Sequence, residues 1–472
     1  MERWLKWDRL PPFSAQELGA DPMRWKVAGL LSTWSAQPQV HAMLDALLAR
    51  PQPDPIDVLL YAEVLLRQAK EEEVCVLLER TADFPPSMRA RAACLLSQIA
   101  FNRGEFVVAR RWLDMALSHA PRSPAVQLLS GSLLEAESRL DQAEAQFRHM
   151  LAYYPEDFSA RAGLGLVLQH QGRTTDGLAE MVTAEILSGG TNSAIPSWDG
   201  RPLGNSTLVV TTNAGIGDIL QNLRYALPLR RNEPQARLAL WCRPEVAPAA
   251  RLMGLFDEII VAPALENAAF DWEISLLRLS LRHHFISALN LGEEPYLSCE
   301  QVAIEAMRSR LDDLNGGHAG GRPLRVGLRW SGAPASYDAR RSIPRARLAP
   351  LFTQPGITWV ALLENAHPEI PALHDGSLPL ADLSSHLRDI ADTAALICAL
   401  DLVISVDTST AHLAGALGVP CWVLARPDAD FRWGLTGSQS TLYRSVRIFR
   451  HPGRLDWDHV LHDCAAALAN YR

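Results

Sequence analysis

No Cys-x-x-Cys pair occurs in the sequence. Its seven cysteines, Cys75, Cys94, Cys242, Cys299, Cys398, Cys421 and Cys464, keep no zinc-ligand spacing. That excludes a zinc ribbon or a Cys-x-x-Cys redox centre. It predicts small, apolar, reduced core residues of a cytosolic protein. No run of about 18 apolar residues exists, so no membrane span is expected. The opening stretch "MERWLKWDRLPPFSAQELGADP" carries no apolar h-region, so no secretory signal is expected. An excess of basic charge is also missing. Lys and Arg number 45 against 53 Asp and Glu, for a net charge of −8 and a pI near 6.0. No overall basic field draws in phosphate backbones, which argues against nucleic acid as the main partner.

The chain has 472 residues, 48% of them apolar. That length suggests roughly two to four domains. Three segments align under one another: "ARAACLLSQIAFNRGEFVVARRWLDMALSHAPRS" (90–123), "PAVQLLSGSLLEAESRLDQAEAQFRHMLAYYPED" (124–157) and "FSARAGLGLVLQHQGRTTDGLAEMVTAEILSGGT" (158–191). The period is 34 residues. Small residues recur at Ser97, Gly131 and Gly165, and again at Ala109, Ala143 and Gly177. They permit close helix approach, and Pro121 and Pro155 close the first two units. The pattern resembles the tetratricopeptide repeat, a helix–turn–helix of this length. A weaker unit fits 56–89, with Glu63 and Cys75 at the small positions, and 22–55 is a more degraded one. Stacked units form a curved array with a concave surface, which usually binds a protein or peptide. By analogy with the repeat, Arg91, Gln98, Asn102, Glu135, Gln169 and His170 face that groove. Their chemistry is mixed and names no peptide motif. Such arrays also dimerise chains, so a homo-oligomer stays open.

Between 187 and 206 the text turns to "LSGGTNSAIPSWDGRPLGNS", and helical periodicity is lost. Strand-like runs follow at 206–212, 236–242 and 256–262, then at 324–330, 357–363, 401–407 and 419–425, with helical stretches between. "NGGHAGGRP" (315–323) separates the two groups. The expected fold class is α + α/β. A helical solenoid occupies 1–190, a linker 191–206, and two doubly wound Rossmann-like domains 207–320 and 321–472, facing a cleft. Ligands of such sheets bind beyond the carboxyl ends of the strands, where the informative motifs fall.

In "DLVISVDTSTAHLAGALGVPCW" (401–422) a buried strand ends at Asp407 and a turn from Thr408 to Thr410 opens a helix. Free N–H groups at a helix start make an anion site. The hydroxyls of Thr408, Ser409 and Thr410 add donors, beside Ala411 and His412. Simple capping by Asp407 or Thr408 is the plain alternative, and His412 is either a phosphate donor or a packed histidine. In "VGLRWSGAPASYDARRSIPRARL" (326–348) a strand ends in a Ser331-Gly332 loop, followed by Arg340 and Arg341. A guanidinium can hold a diphosphate bidentately. In "NAGIGDILQ" (213–221) the third glycine of the dinucleotide fingerprint is absent. Gly215 and Gly217 still allow close ligand approach. Asp218 either caps the next helix or accepts a proton from an attacking hydroxyl across the cleft.

Four stretches, "WDGRPLGNSTLVVTTNAGIGDILQNLRYALPLRR", "VGLRWSGAP…ARRSIP", "LRDIADTAALICALDLVISVDTSTAHLAGALGVPCWVL" and "FRWG…LYRSVRIFRH", together resemble the bacterial tetratricopeptide-repeat glycosyltransferases. The second half is similar to the ADP-heptose:lipopolysaccharide heptosyltransferases, of GT-B fold. The layout is also similar to that of protein O-GlcNAc transferases and flagellin glycosyltransferases. The resemblance covers roughly 90–465 and implies a metal-independent sugar transfer with no cofactor beyond a nucleotide-sugar co-substrate. Carried over, Asp407, Thr408, Ala411 and His412 belong to the diphosphate segment. Arg341 stands where those enzymes keep a phosphate-binding lysine. Asp218 matches the proposed base, Glu364 sits where relatives often keep a glutamine near the donor, and Arg432 is a further donor contact. Two departures stand out: the first turn reads Asn-Ala-Gly-Ile-Gly-Asp rather than Glu-Gln-Gly-x-Gly-Asp, and "STLYR" (440–444) replaces Ser-Pro-Trp-Tyr-Pro. The resemblance implies a protein acceptor, with flagellin as a candidate, recruited by the repeats. A scaffold with an inactive transferase half, or a transferase acting on a glycan, is the rival reading.

Overall fold

The computed structural model describes residues 18–33, 43, 46, 49, 54–68, 70–78, 83–189, 195–212, 214–262, 270–286, 295–314, 322–332, 340–364, 367–374, 376, 378–451, 453 and 455–471. The described residues divide into two compact units. One runs from residue 18 to Val167 and includes Arg340. The other runs from Leu168 to Gly332 and from Arg341 to Tyr471.

The first stretch of chain is helical: α1 (Pro22–Thr33), α2 (Pro55–Arg67), α3 (Glu71–Leu78), α4 (Pro86–Asn102), α5 (Phe106–His119), α6 (Pro124–Ala136), α7 (Leu140–Tyr153), α8 (Phe158–His170) and α9 (Thr174–Leu187). Helices α5, α7 and α9 begin at 106, 140 and 174 and end at 119, 153 and 187, so each follows the last by the 34 residues of the sequence repeat. Proline at the first position of α2, α4 and α6 supplies a preset φ where no N–H partner is needed. The N–H of Ile56 donates to Asp54 Oδ1 at 3.1 Å, capping α2. The small positions have a visible reason. Phe147 of α7 is fully buried, and a Cβ on Gly131 of α6 would lie 2.6 Å from its ring; in α8 the glycine at that distance is Gly163, two residues before the repeat position Gly165. Ala109 and Ala143 are fully buried, and the Ser97 hydroxyl donates to the Ala109 carbonyl at 2.7 Å. The degraded unit at 22–55 lies partly outside the described residues.

The second unit holds two sheets in which every strand pair is parallel. Its elements are β1 (Thr207–Thr211), α10 (Ile216–Leu223), α11 (Ala226–Asn232), β2 (Arg237–Cys242), α12 (Ala247–Met253), β3 (Glu258–Val261), β4 (Trp272–Ser275), α13 (Leu276–Ile286) and α14 (Gln301–Leu314). There follow β5 (Leu324–Arg329), β6 (Ile357–Ala361), α15 (Ile370–Leu373), β7 (Leu380–Asp382), α16 (Ile390–Ala399), β8 (Leu402–Val406), α17 (Ser409–Ala416), β9 (Cys421–Leu424), β10 (Val446–Phe449) and α18 (Trp457–Leu468). Strand order is β3-β2-β1-β4 in one sheet and β10-β9-β8-β5-β6-β7 in the other. All five residues of β8 are buried, as expected of a strand covered on both faces. A single apolar cluster runs from Leu208 and Leu240 of the first sheet through Leu396 of α16 to Val423 of the second. A second cluster, with Trp330, Trp359 and Trp422, packs under α18.

Three strands, β4, β7 and β10, extend the sheets beyond the seven that alternation marks out. The compact unit also starts at Leu168, ahead of the expected boundary at 190. Helix α9 packs on α13, and the Ser275 hydroxyl donates to the Glu185 carboxyl at 2.5 Å. The second part of the expected linker is held as well: Trp198 is buried and its N–H donates to the Glu273 carbonyl at 2.8 Å. Helix α14, expected with the first sheet, packs on α16 beside the second. No described helix is long and apolar enough to cross a membrane.

Candidate active site

Each sheet has one place where the chain, having added strands on one side, turns to add them on the other. In the first sheet it lies at β1, which pairs β2 on one side and β4 on the other. In the second it lies at β5, flanked by β6 and β8. Crevices outside the carboxyl ends of strands at such points are where open α/β sheets bind ligands. The motif loops leave from these strands. Gly215, Gly217 and Asp218 follow β1, Ser331 and Gly332 follow β5, and Asp407 to His412 follow β8.

The loop after β5 is pinned back on its strand. The Gly332 N–H donates to Ser342 Oγ at 3.1 Å, the Ile343 N–H donates to the Trp330 carbonyl at 2.8 Å, and His367 Nε2 lies 2.9 Å from the Gly332 carbonyl. These bonds set half-buried Arg341, the residue just before Ser342, beside the end of β5. Its neighbour Arg340 is committed elsewhere: within the helical unit its guanidinium stacks over Phe101 and Phe106, at 5.2 and 4.7 Å. Glu364, at the end of β6, pairs with Arg329 at 2.5 Å. Burial alone would raise its carboxyl, but the Arg329 bond and charge hold it below the usual range.

At the end of β8, Thr408 is the N-cap of α17, yet its hydroxyl turns to Ser405 Oγ at 3.1 Å and makes no cap bond. Thr410, Ala411 and His412 are buried, while Ser409 and Asp407 are partly open. Gly217 brings α10 close to this helix: a Cβ there would lie 3.1 Å from His412 Cδ2. Asp218 does not cap α10. Gly215 is the N-cap, and the Asp218 carboxylate in the first turn accepts from Arg432 Nη2. Arg432, in the short turn Phe431–Trp433, also pairs with Asp430 at 2.7 Å and donates from Nε to Gln221 Oε1 at 2.5 Å. Burial by itself would raise the Asp218 carboxyl. The Arg432 charge is the strongest influence opposing burial, and the net shift is downward, so the group stays ionised with depressed proton affinity.

His412 is enclosed. Its Nδ1 lies 3.0 Å from the Tyr443 hydroxyl and its ring stacks on Trp433 at 5.0 Å. Burial, then the Arg432 charge, pushes its pKa down to about 4, so the ring is neutral near pH 7. The packed-histidine alternative thus describes its surroundings here. Tyr443 lies over Gly415, where a Cβ would come 2.4 Å from its ring. Arg224, also buried, lies over the rings of Tyr296 and Tyr443 at 5.1 and 4.6 Å and donates to the Leu442 carbonyl at 2.8 Å.

Gln221, Arg224, Tyr296, Trp433 and Tyr443 were not singled out by sequence reasoning. Their one signal was the departure at 440–444, which contains Tyr443. Six side chains were expected at the groove of the repeats. Arg91 pairs with Glu63 at 2.6 Å, and buried Gln98 donates to buried Asn102 at 3.0 Å. Glu135 is half-buried. Gln169 is buried against Met181 Sδ, and His170 Nε2 lies 3.2 Å from the Ala429 carbonyl. Three of these six side chains, Gln98, Asn102 and Gln169, are buried. Among the described residues, no three His, Cys, Asp or Glu side chains gather as a metal-binding group.

No family model matches the chain. It is 26% identical over 378 residues to Protein FlbA of Caulobacter vibrioides, an alignment covering 71% of this chain and 59% of that protein. The chain thus spans about three fifths of that relative's length. Among solved structures, it is similar to the glycosyl transferase family 9 protein from Veillonella parvula, at 12% identity and a TM-score of 0.42, covering 53% of this chain and 87% of that one. It is similar to the E. coli ADP-heptose lps heptosyltransferase II, at 15% identity and a TM-score of 0.41, covering 56% and 99%. It is also similar to the Thermobaculum terrenum O-GlcNAc transferase, at 15% identity and a TM-score of 0.34, covering 88% and 90%.

Proposed function

We propose that the chain is a cytoplasmic, metal-independent glycosyltransferase that moves a sugar from a nucleotide-sugar donor to a hydroxyl of a protein acceptor, with flagellin as a candidate. One observation carries the reading. The loops after β1, β5 and β8, which bear Asp218, Ser331-Gly332 and Asp407 to His412, all leave from strands at or beside the reversal points of the two sheets. Such points are where α/β sheets take nucleotides. On this reading the start of α17 and Arg341 receive the donor diphosphate, and fixed dipoles and a guanidinium stabilise the charge on the departing nucleotide. Asp218 faces the acceptor as base, and Glu364 and Arg432 complete the donor side. The repeats raise the local concentration of the acceptor segment.

A second reading, a scaffold with an inactive transferase half, draws on the Asp218–Arg432 pair. A carboxylate held by a guanidinium is a poor base, because an effective one has a pKa near the working pH. In the first reading, Arg432 leaves Asp218 for the donor phosphates. The deciding experiment is a thermal-shift panel with ADP, UDP, GDP, CDP and CMP on the wild type and Arg341→Ala. A ligand that binds only the folded state raises the melting temperature. The enzyme reading expects one nucleotide to stabilise the wild type and to lose its effect in the variant. No shift at millimolar concentration would leave the scaffold as the better account.

A further inference from the structure

The loop after β5 turns its carbonyls inward. Three successive backbone oxygens there each meet a donor of the same unit. The Trp330 carbonyl accepts from the Ile343 N–H at 2.8 Å, and the Ser331 carbonyl accepts from Arg329 Nε at 2.6 Å. The Gly332 carbonyl lies 2.9 Å from His367 Nε2 and accepts from Ser331 Oγ at 3.2 Å. A carbonyl oxygen is the negative end of its dipole and repels an anion. Engaging all three lowers the cost of placing a phosphate beside this loop. His367 supplies its share from the turn between β6 and α15 and is 4% exposed. Its backbone is fixed on both sides: its N–H donates to the Glu364 carbonyl at 2.8 Å, and its carbonyl accepts from the Ile370 N–H at 3.0 Å. Its partners settle where the ring proton sits. The Glu369 N–H can only donate, and it donates to Nδ1 at 3.2 Å, so Nδ1 carries no proton. The Gly332 carbonyl can only accept, so the proton is on Nε2.

We propose that His367 is a positioning residue: as the Nε2–H tautomer it latches the loop after β5 to the turn after β6 and keeps the Gly332 carbonyl engaged, so that the donor diphosphate meets the loop without that dipole opposing it. This rests on the donor-binding reading of the loop. The ring touches no substrate. It acts through Gly332, whose N–H is bonded to Ser342, the neighbour of Arg341 in the chain. Arg329 cannot stand in for it, since that guanidinium is 7% exposed and already bonded to the Ser331 and Leu362 carbonyls and to Glu364.

The test uses the full-length chain with isotope-labelled histidine nitrogens. NMR of the ring nitrogens reads the tautomer, and the His367 signals are those lost in His367→Gln. The expected wild-type pattern at neutral pH is a protonated Nε2 and a bare Nδ1. Two variants then separate latching from packing. The glutamine amide nitrogen reaches as far as Nε2, so His367→Gln keeps a donor for Gly332. The side chain in His367→Asn reaches only as far as Nδ1 and loses that bond. Both shed the ring, so packing alone predicts equal effects. Amide exchange at Gly332 should quicken about fivefold in His367→Asn, the factor one ordinary hydrogen bond is worth, and stay near wild type in His367→Gln. Calorimetric titration with ADP, UDP, GDP and CDP follows. Whichever diphosphate binds the wild type should bind His367→Asn about fivefold more weakly and His367→Gln unchanged, since only the latched fraction binds. A proton on Nδ1, equal exchange in the two variants, or an equal loss of affinity in both would overturn the proposal. The wild-type tautomer decides even if the variants fail to fold. If no nucleotide binds the wild type while tautomer and exchange are as expected, the donor reading falls and the latch stands.

Discussion

Removing either end of the Asp218–Arg432 pair should have very unequal costs. The two side chains are 11% and 6% exposed, so neither charge is left to water. Replacing Arg432 with Met strands Asp218 as a buried carboxylate with its strongest partner gone, a loss of about 3–5 kcal/mol. Asp430 also loses its partner, but it is 28% exposed and hydrates. Asp218→Asn is different. The amide oxygen still accepts from Nη2, and Arg432 keeps Asp430 at 2.7 Å and Gln221 at 2.5 Å. What is lost is the charge assistance of one hydrogen bond, about 1 kcal/mol. In the double variant the asparagine no longer needs a cation, so its cost should fall below the sum of the singles by about 1–3 kcal/mol. Urea unfolding of the full-length protein measures all four forms through the transition that the substitutions move. Equal costs for the two single variants, or strict additivity in the double, would refute the reasoning. It would mean that Arg432 is held by its other neighbours and that Asp218 is solvated.

Two further outcomes are expected. Gly131→Ala should destabilise the helical unit by about 1–3 kcal/mol despite the better helix propensity of alanine, because the new Cβ would lie 2.6 Å from the Phe147 ring, which is also packed close against Gly163; a melting temperature at or above wild type would contradict this. His412 has a folded pKa of about 4 against an ordinary 6.5, so the unfolded chain takes up its proton first. Its contribution, about 3 kcal/mol, is intact above pH 6.5 and lost as pH falls from 6.5 towards 4. Urea midpoints between pH 8 and 4 should fall less steeply in His412→Gln.

The helical repeat was legible because its causes are local and periodic. Proline starts helices, and small residues recur where Phe147 or a neighbouring helix comes close. Long buried strands such as β8 were legible for the same reason. The strands β4, β7 and β10 have only three or four residues each and stand at sheet edges, paired with β1, β6 and β9, a contact between distant segments that local pattern does not show. In the site, the loops at Gly217-Asp218 and Thr408 to His412 were visible as turns between strand and helix. The partnership of Asp218 with Arg432 spans 214 positions and leaves no trace in spacing. Nor did the cradle of Tyr296, Tyr443 and Arg224, since aromatic residues beside an arginine mean nothing until the fold stacks them. The burial of Gln98, Asn102 and Gln169 was hidden because helical spacing gives a face, not what covers it.

Helix α9 belongs by period to the repeats but by packing to the sheets, through its seat on α13 and the Glu185–Ser275 bond. A solenoid lengthens or shortens by whole units, each leaning only on its neighbours. If the last half-unit is fixed into the sheet core, insertion or loss of units upstream of Leu168 leaves that core untouched. The helical stretch can then drift in length over evolution while the sheets downstream keep their foundation. A recombinant sheet half should accordingly begin at or before α8 to fold as a unit, and one begun at residue 191 should expose the apolar face of α13 and aggregate.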